Sequence, residues 1–161
     1  MTARLGVLTI GQSPRSDVVP TMAEVLAGVE ILEAGALDGR VETAIAALAP
    51  QTGEYVLVTR LRDGREVVVS RERILPYVQE ALDQLVSAVD AVLFLCTGEF
   101  PPLRGGGLLI ESSRVLHHVV AGLAESRRLG VLVPLPEQVA AAERRWRLAV
   151  ERVAAVEAVS P

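Results

Sequence analysis

The side chain in this sequence that is best suited to chemistry is that of its only cysteine, Cys96. It closes an apolar run over residues 91–96, which predicts a buried strand, and a small polar turn follows at Thr97-Gly98. Ligands of open α/β sheets bind outside the carboxyl ends of the strands. A thiol at such a place can act as a nucleophile or base if a helix N-terminus or an arginine favours its thiolate. The alternative is a buried cysteine that packs as a small hydrophobe.

A second polar segment, residues 11–17, follows the first predicted strand with the sequence Gly-Gln-Ser-Pro-Arg-Ser-Asp. Ser13 before Pro14 is typical of a helix start, whose free N–H groups suit a carboxylate or phosphate. Arg15 adds a bidentate donor. A capped helix with a solvated arginine is the alternative, and the segment matches neither a Walker loop nor a GxGxxG motif. We expect ligand-binding residues in both polar segments, and they are Gln12, Ser13, Arg15, Thr97, Gly98 and Glu99.

The two histidines, His117 and His118, do not predict a metal site. Adjacent residues on a helix point about 100° apart, so the pair cannot share a metal ion on one face. The sequence has no other histidine. We therefore expect no metal and no cofactor.

Composition and charge exclude several classes of function. A net charge of −4 gives no basic field that would attract nucleic acid. No apolar run reaches the roughly 18 residues that span a bilayer, and the first residues lack the pattern of a signal peptide. A single cysteine excludes an internal disulfide and favours a reducing compartment. The expectation is a cytoplasmic protein that binds neither nucleic acid nor membrane.

Short apolar runs alternate with helical patterns, which predicts βαβ units and a parallel sheet. Asp63-Gly64 lies between two β-rich runs and predicts a hairpin with a two-residue turn in which both residues have positive φ. The fold class is therefore α/β, an open and mostly parallel sheet with helices on both faces and an inserted antiparallel hairpin. Residues 1–161 are expected to form a single domain. The predicted strands of the main alternation are Leu5–Ile10, Val29–Glu33, Ala91–Cys96, Leu108–Ile110 and Val131–Val133.

Five helices are predicted from apolar spacing and from capping residues. The first begins at Ser13 and the second at Asp38. The third follows Ser70, and the fourth begins at Ser112 or Ser113. The fifth is expected to run over residues 135–159, with an apolar stripe from Val139 to Val156 that needs a partner surface.

Taken together, these stretches resemble the AroM family. The matching segments run through nearly all of the chain in order. They are Leu8–Gly11 with Ser13-Pro14-Arg15, Gly35–Gly39, Tyr55–Gly64, Leu95–Pro101 and Gly130–Pro134.

The resemblance also implies a relation to the aspartate/glutamate racemase superfamily, whose members hold a substrate carboxylate between two similar α/β halves. Cys96 falls where the first of the two catalytic cysteines stands in such racemases. AroM-like chains run some tens of residues longer than this one, and no second cysteine is present. Two-base proton transfer needs an acid and a base on opposite faces of the carbon. The resemblance therefore implies half of a racemase-like two-domain fold.

Three functions remain open at this point. The first is a protein that binds a small carboxylate at the C-terminal edge of the sheet, with cofactor-independent racemase or isomerase chemistry at Cys96. The second is a noncatalytic binding or regulatory module that uses the same cleft. The third is a half-domain that must form a homodimer.

Overall fold

A computed structural model describes residues 2–124 and 127–159 of the chain. Contacts divide the chain into two compact units, Met1–Ser112 and Ser113–Pro161. The prediction of a single domain over residues 1–161 is not tested by this division and stays a prediction. The elements are, in order, β1 (Arg4–Thr9), α1 (Val19–Val25), β2 (Glu30–Gly35), α2 (Glu42–Ala46), β3 (Val56–Arg60), β4 (Glu66–Ser70), α3 (Arg71–Val86), β5 (Ala91–Phe94), β6 (Leu108–Glu111), α4 (Ser112–Leu123), β7 (Leu129–Val133), α5 (Pro136–Ala149) and β8 (Val153–Ala158).

The first unit contains a four-stranded parallel sheet with the strand order β2-β1-β5-β6. The predicted α/β class, with its mostly parallel sheet and its antiparallel hairpin, is confirmed. The chain passes from β1 to β2 on one side and later returns to place β5 on the other side of β1. This reversal creates a topological switch point at the carboxyl ends of β1 and β5, where open α/β sheets bind ligands.

The core of the first unit is built mainly from aliphatic side chains, with Phe94 among them. The α3 helix carries the predicted apolar stripe, and all of its members are buried. These residues are Ile74, Val78, Ala81, Leu82 and Leu85. Ser70 caps α3 as expected, because its hydroxyl accepts a hydrogen bond from the backbone N–H of Arg73 at 3.4 Å. Burial of this face fixes α3 against β1, β2 and β5.

The hairpin of β3 and β4 forms where Asp63-Gly64 predicts it, but the turn conformation differs. Gly64 has a φ of 86°, whereas Asp63 does not have a positive φ. The backbone N–H of Leu61 donates to Arg65 O at 2.8 Å, and that of Gly64 donates to Leu61 O at 3.0 Å. The loop is therefore a three-residue connection ending in a left-handed glycine, and only that glycine needs positive φ.

The first two helices begin later than their capping patterns predict. Instead of Ser13 and Asp38, Val18 and Val41 are the N-cap residues of α1 and α2, and neither cap carries a side-chain hydrogen bond. The reason is a long-range contact, because the Ser13 hydroxyl donates to Asp38 Oδ2 at 2.5 Å. Each predicted cap thus bonds to the other loop rather than to its own helix.

The second unit contains α4, α5 and the two parallel strands β7 and β8. The predicted long helix over residues 135–159 is wrong beyond Ala149. Val150 is extended, with φ −134° and ψ 143°, and the following segment pairs with β7. Val153 and Val156 have the i, i+3 spacing of a helix, but pairing with a parallel neighbour overrides it.

The apolar stripe predicted from Val139 to Val156 is consequently not one helix face. Trp146 and Val150 are buried within the described part of the chain, and the last two valines lie on β8. This removes the reason for which a homodimer was expected, while the oligomeric state itself stays a prediction. Within residues 2–124 and 127–159, no helix is long and apolar enough to cross a membrane.

Candidate functional site

The loops after β1 and β5 lie side by side at the switch point. Leu8 pairs with Phe94 at the end of the two strands, and the backbone N–H of Leu95 donates to Leu8 O at 2.8 Å. Thr9, the last residue of β1, and Cys96, two residues beyond β5, therefore lie at the same edge of the sheet. Both polar segments, each predicted to follow a strand, thus meet at this edge.

The side chain of Arg15 packs against the end of β1. Its side chain is only 17% exposed, and Nη1 donates to the hydroxyl of Thr9 at 3.2 Å. Nε and Nη2 donate to the two carboxylate oxygens of Asp17 at 2.8 and 2.7 Å. Above all through this hydrogen bonding, Asp17 raises the pKa of Arg15, and the negative charge of Glu33 acts in the same direction. Arg15 is thus a fixed cation at the switch point.

The backbone of the same loop is also held from the neighbouring strand. The N–H of Arg15 donates to a carboxylate oxygen of Glu33, on β2, at 2.6 Å. The surroundings of the guanidinium therefore contain two carboxylates, those of Asp17 and Glu33. Their combined charge exceeds that of the single arginine between them.

Cys96 is half-buried and packs against the apolar core of the first unit. Burial raises the pKa of its thiol to about 11, which outweighs the opposing effects of the Gly98 N–H and of Arg15. The helix start predicted at Ser13 does not form there, since α1 begins only at Val19. At neutral pH, Cys96 is therefore a neutral thiol rather than a thiolate.

The turn after Cys96 presents one packed residue and two exposed ones. A Cβ atom added to Gly98 would lie 2.6 Å from Leu57 Cδ2 and 3.5 Å from Cys96 Sγ, so this position requires close approach. Thr97 and Glu99 are exposed to solvent. The carbonyl of Glu99 accepts a hydrogen bond from Arg71 Nη1 at 3.3 Å, which ties the turn to α3.

Gln12 is engaged by the chain itself. Its Nε2 donates to Leu37 O at 3.2 Å, and its Oε1 accepts from the backbone N–H of Arg62 at 2.9 Å. Its side chain therefore connects the loop after β2 to the hairpin. This arrangement gives Gln12 a positioning role, and direct ligand binding by it stays a prediction.

Ser13 is fixed in a similar way by Asp38. Besides its hydroxyl contact, the Ser13 backbone N–H donates to Asp38 Oδ1 at 2.8 Å. Asp38 Oδ2 also accepts from the N–H of Gly35 at 2.7 Å, and Arg62 Nε donates to Ser13 O at 2.6 Å. The hydroxyl and the backbone N–H of Ser13 therefore both stabilise the loop itself. Ligand binding by this residue also stays a prediction.

Two glycines let three backbone segments meet beneath the site. A Cβ at Gly11 would lie 2.2 Å from Arg60 O, and one at Gly35 would lie 2.5 Å from Gly11 O. Both distances are shorter than real Cβ contacts, so no larger residue fits without a backbone shift. The loop after β1 is thereby held between the ends of β2 and β3.

Sequence reasoning missed three residues that build this site, namely Thr9, Glu33 and Asp38 as a loop anchor. Thr9 is 1% exposed, and its hydroxyl accepts from both Arg15 and the Gly11 N–H. A hydroxyl as the last residue of a strand, just before a glycine, was an available signal. The bonds that join Glu33 to Arg15 and Asp38 to Ser13 span at least 18 residues of chain, so local patterns could not reveal them.

The fold and site define an α/β protein with a guanidinium and a thiol at the topological switch point of its sheet. Among the residues described, no cluster of three or more histidine, cysteine, aspartate or glutamate side chains could hold a metal ion. The family model described as AroM protein matches residues 5–161, so the chain belongs to the AroM family. Neither the curated proteins nor the solved structures gave a match to the chain.

Proposed function

We propose that this AroM family protein binds a small carboxylate at the carboxyl edge of β1 and β5, with Arg15 as the anchor. The observation that carries the proposal is the placement of the guanidinium, largely buried, at the switch point. Three of its five N–H groups have partners in the described residues, which leaves one on each terminal nitrogen. The exposed residue Thr97 and the half-buried Cys96 follow β5 at the same edge.

The local charge favours a carboxylate over a phosphate. One guanidinium is surrounded by the carboxylates of Asp17 and Glu33, and the chain carries a net charge of −4. A phosphate dianion would add repulsion that one cation cannot offset. A singly charged carboxylate adds less repulsion than a phosphate dianion does, and planar pairing with a carboxylate is the geometry that a guanidinium favours.

Two modes of action follow from the state of Cys96. The resemblance to racemases supports proton transfer at the carbon next to the carboxylate, for which the thiol must exchange its proton. A pKa of about 11 is poorly matched to this task near neutral pH. The raised pKa supports noncatalytic binding as the second candidate, and a ligand-induced fall of that pKa would favour catalysis.

The proposal is tested by a thermal-shift titration with acetate, propionate and succinate. A ligand that binds only the folded state raises the unfolding midpoint. Arg15→Ala should abolish the shift. The loss of a charged hydrogen bond should weaken the free energy of binding by about 1.5–3 kcal/mol. The matched control is Arg65→Ala, because Arg65 also donates through Nε to an aspartate two residues away, Asp63, but lies at the exposed hairpin.

Binding with equal affinity by both variants and the unaltered protein would contradict the proposal. The proposal would also be contradicted if none of the three acids raised the unfolding midpoint of the unaltered protein. Circular dichroism confirms beforehand that each variant is folded.

A further inference from the structure

Asp17 occupies the bidentate edge of Arg15 in the way that a ligand carboxylate would. Its two oxygens accept from Nε and Nη2 in parallel, at 2.8 and 2.7 Å. The N–H groups of Val18 and Val19 both donate to Arg15 O. The resulting backbone turn brings the side chains of Arg15 and Asp17 together. The edge of the guanidinium that binds a planar carboxylate best is thereby filled from within the chain.

The two partners of this pair are held very differently. Arg15 is 17% exposed and is also bonded to the buried hydroxyl of Thr9, whereas Asp17 is 36% exposed. Among the described residues, no side chain other than that of Arg15 donates a hydrogen bond to Asp17. Asp17 can therefore rotate into water while the guanidinium keeps its place on the strand end.

We infer that Asp17 is a built-in competitor that a ligand carboxylate displaces from Arg15. The inference rests on the proposed function and adds to it the regulation of the same site. The exchange replaces one carboxylate–guanidinium pair by another. The free energy of ligand binding therefore gains only the difference between the free energies of the two pairs. Weakly bound acids are excluded in this way, and an acid with a second contact at the β5 turn is favoured over acetate.

The charge state of the pair agrees with this arrangement. Hydrogen bonding to Arg15 lowers the pKa of Asp17, so the competitor is ionised at neutral pH. Replacing Asp17 by asparagine keeps the shape and removes the charge. Asp17→Asn should therefore open the bidentate edge without removing the residue that precedes α1.

The only cysteine of the chain gives a direct readout, since Cys96 lies at the same strand edge as Thr9. Iodoacetate carries a carboxylate and iodoacetamide is its neutral analogue. In both reactions the thiolate sulfur displaces iodide from the methylene carbon, forming the S–C bond, and the thiol proton passes to buffer. The ratio of the two alkylation rates, measured by intact mass, reports carboxylate recognition, because any change in thiolate fraction affects both reagents.

Four proteins are compared with the unaltered chain: Asp17→Asn, Arg15→Ala, the double variant, and Asp63→Asn as the matched control from the hairpin. Asp17→Asn should raise the iodoacetate-to-iodoacetamide ratio about two- to fivefold, which corresponds to releasing a partly exposed ion pair. The double variant should lose this gain. Asp63→Asn should leave the ratio unchanged.

The outcomes separate this inference from the proposed function. An Arg15-dependent ratio that Asp17→Asn does not raise overturns the inference alone, since the ligand then uses the other edge of the guanidinium. An equal gain in the double variant also overturns it, because the gain then comes from net charge. Arg15→Ala could also leave the iodoacetate-to-iodoacetamide ratio unchanged, both alone and in the Asp17→Asn background. That result overturns the proposed function together with the inference.

Discussion

Cys96 shows how a reactive residue type is restrained by its surroundings. Two groups favour its thiolate, the Gly98 N–H and the Arg15 charge, yet burial against the core has the larger effect on its pKa. Arg15 is also shared with Asp17, which offsets its positive charge near the sulfur. The sequence predicted that both polar segments follow strands, but the sign of the pKa shift depends on burial, which residue spacing does not encode.

Alkylation of Cys96 by iodoacetamide should therefore be slow near neutral pH. The thiolate fraction falls about tenfold for each pH unit below the pKa, and burial holds that pKa near 11. The second-order rate should rise from pH 7 to pH 10 without a plateau, when followed by intact mass. A plateau below pH 9, as in an activated cysteine, would contradict this prediction.

At the scale of the elements, the loop after β1 is positioned by contacts that are distant in sequence. Gly11 and Gly35 allow close backbone approach, and Asp38 accepts hydrogen bonds from Ser13 and Gly35. The α3 stripe and its Ser70 cap were predictable, because both depend on neighbours within a few turns. The starts of α1 and α2 were not, because Ser13 and Asp38 bond to each other across 25 residues.

Gly11→Ala should destabilise the protein by about 2–4 kcal/mol, since the new Cβ meets the Arg60 carbonyl and forces the backbone to move. The control is Gly106→Ala, where a Cβ meets nothing within 4 Å and φ is not positive. That change should leave stability within about 0.5 kcal/mol. Urea denaturation measures both, and equal effects of the two substitutions would show that the Gly11 contact is not needed.

At the scale of the whole molecule, the hydrophobic core cluster and the candidate site both belong to the first unit. The core cluster runs from Leu8 to Phe94, with partly buried members as far as Leu109. In the described part of the second unit, two parallel strands pair with each other. The helix-like spacing of Val153 and Val156 hid this pairing from sequence reasoning. A parallel partner distant in sequence decides such a segment, and local periodicity cannot identify that partner.

The fragment of residues 1–112 should fold without the rest of the chain. Its core cluster is complete, and the described bonds to Arg15 and Asp38 all lie within it. Cooperative urea unfolding with native-like circular dichroism is the expected result. A fragment that unfolds without a cooperative transition would instead support the prediction that residues 1–161 form one domain.

The most direct test of the central claim asks whether a bound carboxylate covers Cys96. Iodoacetamide alkylation is measured at pH 9 with increasing succinate, or with whichever of the three acids gives the largest thermal shift. The account predicts that the alkylation rate falls as the acid saturates the unaltered protein, and that Arg15→Ala removes this protection. Saturating acid that raises the unfolding midpoint while Cys96 still reacts at its original rate would contradict a carboxylate site at the ends of β1 and β5.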